Sequence, residues 1–304
     1  MSHNADAEKE RVVTPNIFAQ PLSIFGMPVD RETIFSNHKK IYKPRIEKRQ
    51  RNLIVKATSL KFYLHPQECI RCLTTGYSPI RVVEQVLTGP AFLFFKRAVF
   101  VFTDQRILHV RTSFSRKTRH SVSQILYEDC SAILMKGRSL IVCYKGGKQE
   151  VFNYISLREK KKIKSLLDQL QLKPKDPAVF SSRVALCPSC ASVLKKRNSQ
   201  CEACKLKFKS SRVAMWLSLV LPGGGYFYCN HTLLGTAVAV VEVAAIGLLI
   251  FQWIDYRNGL ALQWGLLLLA AGVLILEKIV ATFHSVQMTQ DNIPKAQDFE
   301  TPRV

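Results

Sequence analysis

The sequence predicts a multi-domain membrane protein: an antiparallel β-meander closed by one helix, a small four-cysteine module, and an α-helical transmembrane hairpin. Three observations carry this. Residues 96–155 hold successive β-branched and aromatic runs separated by turn residues. Cys187-Pro188-Ser189-Cys190 and Cys201-Glu202-Ala203-Cys204 are two Cys-x-x-Cys knuckles with ten residues between them. Residues 233–254 contain one charge in twenty-two positions and residues 259–276 contain none. At about 1.5 Å per residue, each stretch comes close to or exceeds the roughly 30 Å of a hydrocarbon core.

Residues 1–58 are expected to be a flexible basic region. Pro15, Pro21 and Pro28 interrupt the first thirty-six positions, which suit a tail or a strap over the next domain. Residues 37–51 carry seven Lys or Arg against one Glu, a basic arm for an anionic surface or a solvated helix face.

Residues 59–172 read as a folded domain. LKFYLHPQECIRCL (60–73) is expected to be extended, and Ser78-Pro79 and Gly89-Pro90 bracket a predicted helix around Ile80–Leu87. Strands follow at 96–102 and 106–112 around the polar turn Thr103-Asp104-Gln105, then at 124–135, 139–145 and 149–155. Gly146-Gly147 between the last two is a hairpin signal. In residues 156–172, Ile163, Leu166, Leu167 and Leu170 recur at helical spacing opposite Lys160, Lys161, Lys162 and Lys164.

Here the chain resembles the bacterial pleckstrin-homology-like (PH-like) family. LHPQE (64–68) is similar to its opening motif, and FVFTDQRILHV (100–110) to its pair of strands around a Thr-Asp-x-Arg turn. The resemblance implies a PH-like β-meander with a C-terminal helix, a scaffold for lipid headgroups, peptides or protein partners, and no catalytic residues. It also implies that the basic loop Arg111–His120 meets anionic headgroups, with Arg116, Lys117 and Arg119 as the binding candidates.

Lys173-Pro174-Lys175-Asp176-Pro177 opens a stiff linker over 173–184. The cysteine module spans 185–210. Each knuckle sets two thiolates on one side of a tight turn, so Cys187, Cys190, Cys201 and Cys204 are candidate ligands for one Zn²⁺ at about 2.3 Å. The pattern resembles a zinc ribbon, although Ala191 and Lys205 stand where glycine commonly follows each second cysteine. A closed four-sulfur shell implies structural rather than catalytic zinc, and the metal supplies folding free energy to a module too small for its own core. The pair Cys69 and Cys72 reads as buried packing residues, as do Cys130, Cys143 and Cys229.

Residues 211–285 form the membrane domain. The segment 213–228, broken by Pro222-Gly223-Gly224-Gly225, is expected to be re-entrant or a short helix, and 233–254 and 259–281 to be transmembrane helices. Pro222, Gly223, Gly225 and Tyr228 resemble the Pro-Gly-x-Gly-x-x-Tyr segment of small bacterial two-helix membrane domains. Trp253, Tyr256 and Trp264 suit one membrane interface. Glu242 falls near mid-bilayer and is a functional candidate by position, whereas Glu277 and Lys278 read as a helix end whose charges snorkel. A polar tail fills 286–304.

The whole chain carries +22; residues 213–304 hold four basic and six acidic groups, so residues 1–212 carry +24. Lys205, Lys207, Lys209 and Arg212 directly precede the apolar block, which places the N-terminal domains in the cytoplasm beneath the plasma membrane. No Gly-rich phosphate loop, His-Glu-x-x-His or nucleophile elbow is present. The expected function is a membrane-anchored, non-enzymatic interaction module that binds a protein partner, a second copy of itself or anionic lipid. A nucleic-acid-binding membrane protein is the alternative, and a small transport subunit the second alternative.

Overall fold

The computed structural model describes residues 22–80, 96–112, 118–170, 172, 178–195, 199–259 and 263–295. The expected helix at Ile80–Leu87, save its first residue, lies outside these residues, as does the Pro-rich start of the linker. An eight-stranded sheet runs in the order β1 (Leu22–Ile24), β2 (Met27–Val29), β3 (Ile70–Tyr77), β4 (Arg97–Thr103), β5 (Arg106–Thr112), β6 (Thr118–Leu126), β10 (Val184–Leu186), β11 (Val193–Leu194). A second antiparallel sheet holds β7 (Cys130–Lys136), β8 (Ser139–Tyr144) and β9 (Gln149–Phe152). The run expected as one strand over 124–135 is two strands, because a 3₁₀ turn at Tyr127–Asp129 carries the chain from one sheet to the other.

Period-two alternation sends the two faces of β3–β6 into different cores. Phe100, Phe102, Ile107 and Ile125 pack with Ile133, Leu140, Val142 and Phe152 of the second sheet and with Ile163 and Leu167 of α3 (Leu157–Asp168). Each such side chain, fully buried, contributes about 1.5–3 kcal/mol. The opposite face offers Leu73, Val99, Val101, Leu108 and Val110, which the N-terminal region covers.

Over residues 22–36 that cover is the strap that the sequence allowed beside a flexible tail, and over 37–58 the chain is ordered where a flexible basic region was expected; residues 1–21 lie outside the described residues. Residues 22–29 form a β1–β2 hairpin, and α1 (Arg31–Phe35) is capped by Asp30, which accepts from Thr33 N–H at 3.2 Å. α2 (Pro44–Lys56) starts on a proline at its first position and buries Gln50, Leu53 and Ile54. Its charges line the outer face, so the basic stretch is one side of an amphipathic helix whose other side closes the core. Residues 58–63 form a 3₁₀ helix that buries Leu60 and Tyr63 in the same layer, so the stretch expected to be extended from residue 60 is helical as far as Tyr63.

The two sequence motifs of the PH-like resemblance meet inside the domain. Arg106 (2% exposed) binds Glu68 (0%) through Nε–Oε1 at 2.9 Å and Nη2–Oε2 at 2.7 Å. Thr103 Oγ1 donates to the same carboxylate at 2.8 Å, and the Tyr63 carbonyl and Gln124 amide oxygen take further guanidinium protons. A charge pair this deep is tolerated because nearly every donor and acceptor is matched.

After the cysteine module come α4 (Ser211–Val220), α5 (Gly224–Tyr228), α6 (Thr232–Arg257) and α7 (Trp264–Thr289). Both α6 and α7 are long and apolar enough to cross a membrane. α7 runs past the expected end at 281 and takes in the first residues of the expected tail, so Glu277 and Lys278 sit mid-helix rather than at its end. α4 and α5 form a pair that goes out and returns: Ser210 N–H donates to the Tyr228 hydroxyl at 3.0 Å, and the Lys209 ammonium reaches the Tyr228 carbonyl. Gly223 makes the turn at φ +63°, and a Cβ there would overlap the Gly235 carbonyl of α6.

Candidate metal centre and its junction with the apolar helices

The cysteine knuckles are built by the backbone. Ala191 N–H donates to the Cys187 carbonyl and Lys205 N–H to the Cys201 carbonyl, both at 3.0 Å. Ala191 (φ +56°) and Lys205 (φ +60°) take the left-handed conformation themselves at the positions where glycine is usual. The turn therefore forms without glycine, against a cost of about 1–2 kcal/mol per residue.

Each knuckle delivers its sulfurs to one point. The four Sγ atoms lie within 4.8 Å of one another, with Cys187–Cys204 at 3.5 Å and Cys190–Cys201 at 3.6 Å. A tetrahedral ion with metal–sulfur bonds of about 2.3 Å requires sulfurs about 3.8 Å apart, so the residues fit a tetrahedral thiolate site. The Ser192 hydroxyl lies 2.9 Å from the Cys190 sulfur and 3.3 Å from that of Cys201. Burial pushes the Cys201 thiol up, but backbone N–H groups of Cys204 and Ala203 and the Ser192 hydroxyl outweigh it and hold the thiol down at about 6. Burial pushes the Cys187 thiol up, more than its own backbone hydrogen bonds recover. Beside the cluster, Lys195 pairs with Glu202 at 3.0 Å.

Sequence reasoning placed this module on a linker as a satellite; the structure joins it to its neighbours on both sides. β10 pairs with β6 through Val184–Gln124, Ala185–Ser123 and Leu186–Val122, so the module extends the main sheet. Leu186 and Ala191 pack into the core under the N-terminal layer. On the other side, Phe208 bridges Pro294, Lys209 N–H donates to the Ile293 carbonyl at 2.9 Å, and Lys295 N–H to that of Lys207 at 3.0 Å. The stretch after α7 thus returns to the module, and Arg111 of β5 forms an ion pair with Asp291. No pattern in the sequence marks this return; residues 290–295 carry only ordinary polar character.

Among the apolar helices Glu242 is not isolated. Its buried carboxylate accepts from Lys278 Nζ at 2.6 Å and from Gly223 N–H at 3.3 Å, and Lys278 also donates to the Ser218 carbonyl at 2.9 Å. One ion pair thus ties α6, α7 and the α4–α5 turn together. Hydroxyl pairs continue the seam toward the module: Ser218–Ser285 and Ser211–Thr289, both at 2.7 Å. In an apolar medium such groups have no water to fall back on, which makes matched partners the condition for burying them. Sequence reasoning missed Lys278 because it stopped the helix too early. Spacings of four and then three residues on α7 put Lys278, Thr282 and Ser285 on one face.

Of the basic candidates, Arg116 and Lys117 lie outside the described residues, and Arg119 falls in β6 with its side chain likewise outside them. Cys69 and Cys72 do not join the metal cluster. Cys72 is buried in the core between the sheets, where burial raises its thiol to about 12, and Cys69 is raised to about 11 by burial and by Asp30 and Asp104.

No protein-family model matches this chain, and neither a curated protein nor a solved structure matches it.

Proposed function

We propose that this chain is a membrane-anchored interaction module whose PH-like head is held rigidly against the bilayer by a zinc ribbon. The observation that carries the reading is the double attachment of the cysteine module, by β10 to the sheet and by residues 207–209 to the stretch after α7. A tether would need neither. The antiparallel runs β3–β6 and β7–β9, with Ile163 and Leu167 of α3 in the core they share, support the PH-like part of the reading, and the sulfur spacing suits structural Zn²⁺ with no open coordination position.

The topology we propose has two crossings, α6 and α7, with α4 and α5 entering from the head side and returning to it. It is supported by the starts of α4 and α6 and the end of α7 gathering at the module, while exposed Trp253, Tyr256 and Trp264 cluster at the opposite end. Both termini then share the cytoplasmic face of the plasma membrane. In this reading the head offers its outer surface to a protein partner or to anionic headgroups, and the chain carries no catalysis.

The test is affinity capture of the full-length tagged protein from detergent-solubilised membranes, at physiological salt, beside reconstitution into bilayers of differing anionic content. A partner that also binds the purified protein, or head contacts that strengthen with anionic lipid, supports the reading. Neither result appearing ends it.

A further inference from the structure

The charges among the apolar helices do not balance. Glu242 of α6 pairs with Lys278 of α7, but Glu277 of α7 brings a second carboxyl to the same place, so one ammonium serves two acids. Glu277 shares a face of α7 with Ala281, His284 and Met288, all buried where Tyr226 of α5 packs. Its carboxyl stands at hydrogen-bond distance from that of Glu242, and its Oε2 is buried with no hydrogen-bond partner among the described residues.

Two carboxylates have only acceptors to offer each other, so a hydrogen bond between them requires a proton on one. The surrounding donors decide which. Glu242 already accepts from Lys278 Nζ at 2.6 Å and from Gly223 N–H at 3.3 Å, the setting of an ionised group, whereas no donor reaches Glu277 Oε2. With both acids ionised the cluster would carry one negative charge in excess, which an apolar medium penalises; with one proton it is neutral. The other ionisable groups on the elements packed here are Tyr226 and Cys229 of α5, His284 of α7 and, at the head-side start of α4, Arg212. Tyr226 and His284 hold each other at 2.9 Å.

We propose that Glu277 holds an exchangeable proton, donated in a hydrogen bond to Glu242, and that these two acids with Lys278 form a proton-binding site inside the bilayer. The inference rests on α6 and α7 crossing a membrane. The hydroxyl seam gives the proton its route: Ser211 with Thr289 beside the module, Ser218 with Ser285 farther in, then the Lys278 ammonium, which donates both to the Ser218 carbonyl and to Glu242. A hydroxyl both donates and accepts, so it can pass a proton along. Loss of the proton would leave two carboxylates on one ammonium, next to the Gly223 N–H that Glu242 also holds, so occupancy of the site bears directly on the α4–α5 turn.

The experiment uses full-length protein in nanodiscs at neutral pH. Infrared spectroscopy should show the carbonyl band of a protonated carboxyl, shifting on transfer to D₂O and lost in Glu277→Gln, which keeps the side-chain volume and a donor for Glu242. The unaltered chain gives a second reading, independent of any variant. Dicyclohexylcarbodiimide adds to a carboxyl that carries its proton in an apolar setting, and peptide mapping should find the acylurea on Glu277 or its partner Glu242, with less of it as pH is raised. No protonated band, a band that survives Glu277→Gln, a band that never shifts in D₂O, or labelling of neither acid overturns the proposal. A chain that does not enter the nanodisc at all overturns the two crossings and this site with them, whereas normal insertion without the band removes the site alone.

Discussion

At the residue scale, Ala191 and Lys205 bear backbone strain that the metal turns require. Ala191→Gly and Lys205→Gly should each raise stability by about 0.5–1 kcal/mol, the relief of a left-handed L-residue less the extra chain entropy of glycine, read from chemical denaturation. The Glu68–Arg106 pair supplies a pH prediction. Burial pushes the Glu68 carboxyl up, but the hydrogen bonds from Arg106, His65 N–H and Thr103 outweigh it and hold it below the usual carboxylate range. A carboxylate with a depressed value in the folded chain stabilises above its unfolded value and loses that contribution as pH falls through the folded one. Stability should therefore hold above about pH 4.5 and fall on further acidification. Arg106→Met, which strands the Glu68 charge, should cost about 3–5 kcal/mol at neutral pH, measured by urea midpoint. These residues were legible as motifs, LHPQE and TDQR, but their meeting was not. Thirty-five positions separate Glu68 from Thr103, and only the β3–β4 pairing brings them together.

At the element scale, the strands and α3 could be read from period and turn chemistry, because each buries a face by itself. The N-terminal helices could not. α2 looks like a charge run because its buried stripe is narrow, with Gln50 sharing it and bonding both the Leu73 carbonyl and N–H across to β3. Among the apolar helices, the Glu242–Lys278 pair predicts a double-mutant result. Glu242→Gln or Lys278→Met alone should destabilise the α4–α7 assembly by about 3–5 kcal/mol, since each leaves a charge unmatched in an apolar setting. The double variant should recover most of that loss, a coupling read from unfolding in mixed micelles. Equal and additive losses would mean the two side chains act independently.

At the scale of the whole molecule, four cysteines are the joint between a β domain and two apolar helices. Full-length protein should carry about one zinc per chain by elemental analysis, lost in Cys187→Ser with Cys201→Ser. The same change should loosen both attachments, so that amide exchange rises in β6 and in residues 290–295 together rather than in the module alone. The joint itself was plain from spacing. Its two welds were not, because a three-residue strand and a single bridge leave no periodic trace. Their consequence is mechanical. With β10 laced to β6 and Phe208 laced to Pro294, the sheet and the greasy rods have no slack between them. A load placed on the sheet would have two routes to the ion pair that pins the returning turn, one through the cysteine knuckles and one through Arg111 and Asp291.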